Sequence, residues 1–139
     1  MIVKFGASVT ANVTVNKERP VNLDLTAMRW PITAFTSMPH RISGLLLFIA
    51  VGFLIWALGA SLESQESFDS LKECLSGFFS KLIIWAILSA LIFHFFAGIK
   101  HLLMDIGIGE TLEGAHLGSK LVLAVSGVFI LLAGVWVWA

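Results

Sequence analysis

The side chains with the most chemical potential in this sequence are three histidines, an arginine and a serine. His94 lies in an uncharged apolar run from Leu82 to Ile99, closed by Lys100 and His101. An ionisable group inside a stretch apolar enough to cross a bilayer is costly, so it marks a functional site by default. Imidazole readily binds haem iron or another transition metal. His101 follows His94 by seven residues, close to two helical turns, so both leave nearly the same face roughly 10 Å apart along the axis. A second group, Ser37, His40 and Arg41, stands just before another apolar run. If the two runs pack antiparallel, Ser37, His40, Arg41 and His101 reach one level above His94. A flat ligand, apolar within the membrane and anionic at its upper edge, suits that layer. Haem b has this form, with iron on His94 and propionates toward the basic residues, and the planar fork of Arg matches a carboxylate.

Each residue also has a plainer role. His94 could be a buried structural imidazole bonded to a backbone carbonyl. Ser37 could N-cap a helix with Pro39 in its first turn. Arg41 could serve only as a topology signal, Lys100 and His101 as interface residues, and His116, Asp105 and Glu113 as solvated side chains of a loop. Shared depth, not any single residue, favours the ligand-binding reading.

Composition sets the class of element that carries these groups. Hydrophobic residues make up 58% of the 139 residues and charged residues 13%, against ~25% charged in soluble domains. Nine basic side chains balance nine acidic ones, leaving no electropositive surface for nucleic acid. The single cysteine, Cys74, allows neither an internal disulfide nor covalent haem attachment through a C-x-x-C-H motif.

Three runs free of Asp, Glu, Lys and Arg cover 42–62, 82–99 and 121–139. Each is roughly 27–32 Å long as a helix, about one hydrocarbon core. Backbone groups in lipid must be satisfied within the segment, so all three are helical. The expected fold is an all-α membrane protein in one domain, 1–139. It has a cytoplasmic or interfacial segment at 1–36 and spans at about 42–62, 82–103 and 120–139. Residues 1–23 read as extended, and Leu25 to Trp30 as a short turn capped by Asp24 and ended by Pro31. Between the first two spans, Phe68, Leu71, Leu75 and Phe78 fall at helical spacing and predict an amphipathic helix at the interface.

Lys4, Lys17, Arg19, Arg29 and Arg41 precede the first span, and Lys100 and Lys120 flank the loop after the second. The positive-inside rule therefore predicts a cytoplasmic N-terminus and a periplasmic C-terminus, with Trp136 and Trp138 in the outer aromatic belt. The first residues match neither a cleavable signal nor an Arg-rich transit peptide, an expectation that favours a bacterial inner membrane.

Three motifs in order, Arg19-Pro-Val-Asn-Leu-Asp-Leu25, Ser37-x-x-His40-Arg41-x-Ser43-Gly44 and His94-x-x-x-Gly98-Ile-Lys100-His101-x-x-x-Asp105, resemble the cytochrome b membrane-anchor subunits of succinate dehydrogenase, respiratory complex II. The resemblance implies that His94 is an axial ligand of one haem b shared with a second haem-ligating anchor. It further implies that Ser37 and Arg41 bind ubiquinone, and that His40, Arg41 and His101 lie at the haem edge. Partners follow: the second anchor, an iron–sulfur subunit, a flavoprotein subunit and lipid. Succinate oxidation is then the work of other subunits, since this chain has no dinucleotide-binding glycine fingerprint and no cysteine framework for iron–sulfur clusters. Lys100 stands where the family often has arginine, and Pro39 occupies a variable, ordinarily apolar position. Two alternatives stay open: the anchor of a quinol:fumarate reductase, and a small non-redox packing or transport protein.

Overall fold

The computed structural model describes residues 31–139. The extended segment expected at 1–23, the turn at Leu25 to Trp30 and the Arg19–Leu25 motif lie outside the described residues. All regular structure among the described residues is helical: α1 (Ala34–Glu63), α2 (Gln65–Ser76), α3 (Phe78–Asp105) and α4 (Leu112–Trp138).

Three of these, α1, α3 and α4, are long and apolar enough to cross a membrane. With 30 residues, α1 extends ~45 Å, well beyond a ~30 Å hydrocarbon core. It starts eight residues before the first charge-free run, because hydropathy marks where a helix meets lipid and not where it begins. The N-cap is Thr33, without a side-chain cap bond. Ser37 is therefore the fourth residue of the helix and not its cap, and Pro39 falls in the second turn. The Thr33 carbonyl accepts from Ser37 N–H at 3.0 Å and Thr36 N–H at 3.3 Å, and from the Thr36 hydroxyl at 2.9 Å.

The amphipathic segment forms α2, as its spacing predicts. Ser64 caps it by accepting from Ser67 N–H at 3.0 Å, and the helix folds back against α1 and α3. Leu71 and Leu75 are half-buried while Glu66, Asp69, Lys72 and Glu73 are exposed. Phe78, the last residue of the predicted stripe, opens α3 instead. The α3–α4 turn needs glycine: Gly107 and Gly109 have φ of +85° and +78°, a region open to residues without a Cβ. After it, Thr111 caps α4 by accepting from Gly114 N–H at 3.1 Å. Glu113 and His116 therefore belong to the first turns of α4, His116 being half-buried there.

In the bundle α3 is central and packs against both α1 and α4, while α1 and α4 meet only slightly. What it buries is small: Ala97, Ser119 and Thr36 are wholly enclosed and Ser126 is 2% exposed. On α4 the buried stripe Ala115, Ser119, Val122, Ser126 repeats every three or four residues. Lipid offers little hydrophobic driving force between helices, so close backbone approach through small residues does the work. Polar links add to it. The Thr36 and Ser119 hydroxyls meet at 3.1 Å between α1 and α4, and Trp85 donates its indole N–H to the Ile130 carbonyl at 3.0 Å between α3 and α4. Most large apolar side chains face outward, as a surface meant for lipid or another membrane subunit requires.

Candidate functional site

Ser37, His40, Arg41 and Gly44 are spaced by three, four and seven residues and share one stripe of α1. Opposite on α3 stand His94, Gly98 and His101, spaced by four and seven. Antiparallel packing interleaves the two sets. The His40 ring stacks on His94 with centroids 4.2 Å apart and planes 16° from parallel. It also lies 5.0 Å from the His101 ring at a 45° tilt. The three imidazoles thus form one column, with His40 between the two α3 histidines.

Glycine makes the approach possible. A Cβ on Gly44 would sit 3.1 Å from His94 Cε1, and one on Gly98 would sit 3.6 Å from His40 Nε2. Each glycine lets a ring from the facing helix lie against the backbone.

His94 is held by one edge. Its Nδ1 lies 3.1 Å from the His40 carbonyl and 3.1 Å from Ser43 Oγ. A carbonyl oxygen only accepts, so Nδ1 carries the proton and shares it between both oxygens. Ser43 in turn donates its hydroxyl proton to the His40 carbonyl at 2.8 Å, which leaves its oxygen free to receive from Nδ1. The carbonyl contact is the one expected of a structural histidine, but it satisfies only half of the ring. With Nδ1 protonated, Nε2 bears the lone pair. It has no partner among the described residues and is not enclosed, since the one buried unpartnered side-chain polar atom is His40 Nε2. An imidazole fixed at one nitrogen by a carbonyl and a hydroxyl, with the other nitrogen open, is the arrangement that orients metal-ligating histidines.

No three His, Cys, Asp or Glu side chains converge as a metal cage among the described residues. The donor set therefore suits a metal whose remaining ligands come from a macrocycle and a partner, and a haem iron meets that condition. His40 fits a different part of the task. Its Nε2 is covered against Gly98, so in this geometry the ring braces His94 and only its Nδ1 is left open.

Not every candidate joins the column. Arg41 is exposed and Ser37 half-buried on the same stripe, without a hydrogen bond from either side chain to another described residue. Both are thus available to a ligand or partner, on the rim and not in the column. Lys100 points elsewhere. It is 8% exposed and packs its stem over Gly118 of α4, so it turns toward α4 and away from the histidine column. Ser43, Gly44 and Gly98 stood within the sequence motifs without a role of their own. The available signal was glycine inside an apolar helix, which marks a close approach, and a serine three residues beyond His40.

The comparisons with known proteins agree with this architecture. Residues 15–133 match the model of the succinate dehydrogenase/fumarate reductase transmembrane subunit family. The succinate dehydrogenase cytochrome b556 subunit of Coxiella burnetii is 44% identical over 126 residues, covering 89% of this chain and all of the relative. The cytochrome b556 subunit of Paracoccus denitrificans is 32% identical over 114 residues, 82% of this chain and 88% of the relative. The cytochrome b560 subunit of Reclinomonas americana is 31% identical over 126 residues, 87% of this chain and 88% of the relative. With three membrane-length helices and a histidine column between two of them, the chain belongs to the family of succinate dehydrogenase cytochrome b membrane-anchor subunits.

Proposed function

We propose that this chain binds haem b and ubiquinone in the inner membrane of a bacterium and passes electrons from an iron–sulfur partner to ubiquinone. The observation that carries the reading is His94, with Nδ1 anchored to the His40 carbonyl and Ser43 and Nε2 open. His94 Nε2 would hold the haem iron from this chain, and a second anchor packed on the outward apolar surface would supply the other protein ligand. When bound, the haem accepts and returns single electrons.

The residues of this chain bind and orient. The shared Nδ1 proton sets the tautomer and keeps the Nε2 lone pair from turning away. Arg41, exposed beside the column, offers a planar fork to a carboxylate or a quinone oxygen. His101, half-buried at the cytoplasmic end of the column, serves a haem propionate together with Arg41, and His40 completes that edge as the ring stacked on His94. Ser37, one turn before Arg41 on α1, donates its hydroxyl to a carbonyl of ubiquinone. Reduction to the quinol takes two electrons and two protons. The electrons arrive through partner subunits, which also hold the flavin and iron–sulfur groups for which this chain has no residues. The protons come from the cytoplasmic interface, a side that the positive-inside rule favours for the N-terminus and the α3–α4 turn. The relatives named above are all succinate dehydrogenase subunits, which favours succinate oxidation over fumarate reduction.

The test is a reduced-minus-oxidised spectrum of the purified complex alongside its succinate:ubiquinone activity. A b-type spectrum with succinate-dependent quinone reduction supports the reading. A complex that reduces quinone at full rate without any haem spectrum contradicts the role of His94.

A further inference from the structure

The face of α3 turned away from the histidine column holds a second polar group in an apolar setting. Between the end of α3 and the start of α4 opens a cavity of about 410 Å³, lined by Phe96, Leu103, Leu117, Leu121 and Val125 among others, with Lys100 as its one charged side chain. Lys100 is more than nine-tenths buried, at 8% exposure. Its Cγ, Cδ and Cε pass within 3.5–3.7 Å of where a Gly118 Cβ would stand, so glycine at 118 makes the groove that admits the stem. Among the described residues nothing hydrogen-bonds or ion-pairs with the ammonium. Glu110 and Glu113 are exposed and do not line the cavity. The lysine nitrogen itself is not sealed off but opens beside this apolar lining, where an anion is the favourable neighbour for an ammonium.

Two further features describe that anion. Gly109 and Gly114 also line the cavity, at the N-terminus of α4, where the helix dipole favours negative charge while the Gly114 N–H itself is taken by the Thr111 cap. Along α4 the lining runs from Gly114 to Val125, roughly 16 Å of helix, so the space is long and apolar beyond its charged part. Lys100 stands about 8 Å from the end of α3, near the border of the hydrocarbon. Basic pockets between transmembrane helices on the cytoplasmic side take lipid head groups.

We infer that this cavity binds one anionic phospholipid, its phosphate paired with Lys100 and an acyl chain laid along the α3–α4 groove. A zwitterionic lipid carries its own cation and leaves the lysine less well matched, so the site selects net negative charge. The inference rests on the chain spanning a membrane and not on the haem or quinone site.

The test uses the whole purified complex, stripped of lipid in detergent and offered phosphatidylglycerol or phosphatidylcholine of identical chains, with bound lipid counted by native mass spectrometry. The wild-type complex should retain phosphatidylglycerol in preference to phosphatidylcholine. Lys100→Met should reduce that preference roughly fivefold or more, Lys100→Arg should keep it, and Lys120→Met, at an exposed lysine outside the cavity, should leave it unchanged. Should the Lys100→Met complex not assemble, Leu117→Trp gives the same information. Leu117 is 60% exposed, and a larger ring there fills the groove while Lys100 stays, so retention should fall again. Equal retention of both lipids by the wild type, unchanged preference in Lys100→Met, undiminished phosphatidylglycerol retention in Leu117→Trp, or full displacement by inorganic phosphate would overturn the assignment.

Discussion

Replacing Gly44 by alanine should weaken haem binding without weakening the fold. The new Cβ would stand 3.1 Å from His94 Cε1 and 3.6 Å from Nδ1. Carbon atoms settle at ~3.5–4.0 Å, so the ring must retreat from α1 by about 0.4 Å. Both acceptors of the Nδ1 proton are on α1, each at 3.1 Å. The retreat carries them to about 3.5 Å, past the ~3.2 Å limit of a good N–H···O bond. Loss of one such bond is worth ~0.5–1.5 kcal/mol, or roughly two- to tenfold in the population of correctly turned imidazole. Alanine meanwhile has a helix propensity better than glycine by ~1 kcal/mol, so the thermal midpoint should hold or rise. The assay is haem per complex and the reduced-minus-oxidised spectrum under haem-limiting conditions, with a melting curve on the same sample. Gly52→Ala is the control, since nothing lies within 4 Å of its Cβ position, and it should change neither haem binding nor the spectrum. Haem affinity and spectrum identical to wild type in Gly44→Ala would refute the claim that this glycine seats His94.

Other substitutions probe separate parts of the account. Ser37→Ala and Arg41→Ala should chiefly damage quinone reduction, by roughly 1–3 kcal/mol in transition-state terms, while succinate oxidation with an artificial acceptor persists. Wild-type ubiquinone kinetics in both variants would place the quinone elsewhere. Ser119→Ala should cost only ~0.6 kcal/mol of bundle stability, the average for hydrogen bonds between membrane helices, because Thr36 keeps its bond to the Thr33 carbonyl at 2.9 Å. A melting-point loss as large as that of a core truncation would contradict it. Gly134→Val should destabilise the α3–α4 pair more than Gly127→Val. Even the first added carbon at Gly134 stands 3.1 Å from Trp85 Nε1, whereas Gly127 has open space, and thermal unfolding of the two variants compares them directly.

How far the sequence discloses this structure depends on the kind of residue. The three spans were legible because lipid imposes one simple rule on the backbone, and α2 because Phe68, Leu71 and Leu75 repeat at helical spacing. The start of α1 was not. Ser37 before Pro39 has the look of a cap, yet Thr33 starts the helix, and within the bundle α1 tolerates a proline in its second turn. At the site, His94 was conspicuous as an imidazole among apolar residues, and its spacing to His101 placed both on one face. Ring stacking of His40 between them was not visible, since it depends on the depth to which α1 slides along α3. Gly44 and Gly98 set that depth, and a glycine announces closeness without naming what comes close. The packing of Lys100 against α4 was hidden for a related reason. Next to His101 in sequence, the lysine is turned by a helical step of about 100°, which carries it from the α1 side of α3 to the α4 side.

The central claim is that His94 Nε2 ligates haem iron while the His40 carbonyl and Ser43 hold Nδ1. Low-temperature electron paramagnetic resonance of the oxidised complex, wild type against His94→Ala, addresses it most directly. A low-spin ferric signal of bis-imidazole type is expected in the wild type, with its loss or conversion to another ligation state in an assembled mutant complex. An unchanged low-spin signal at full haem content in His94→Ala would contradict it.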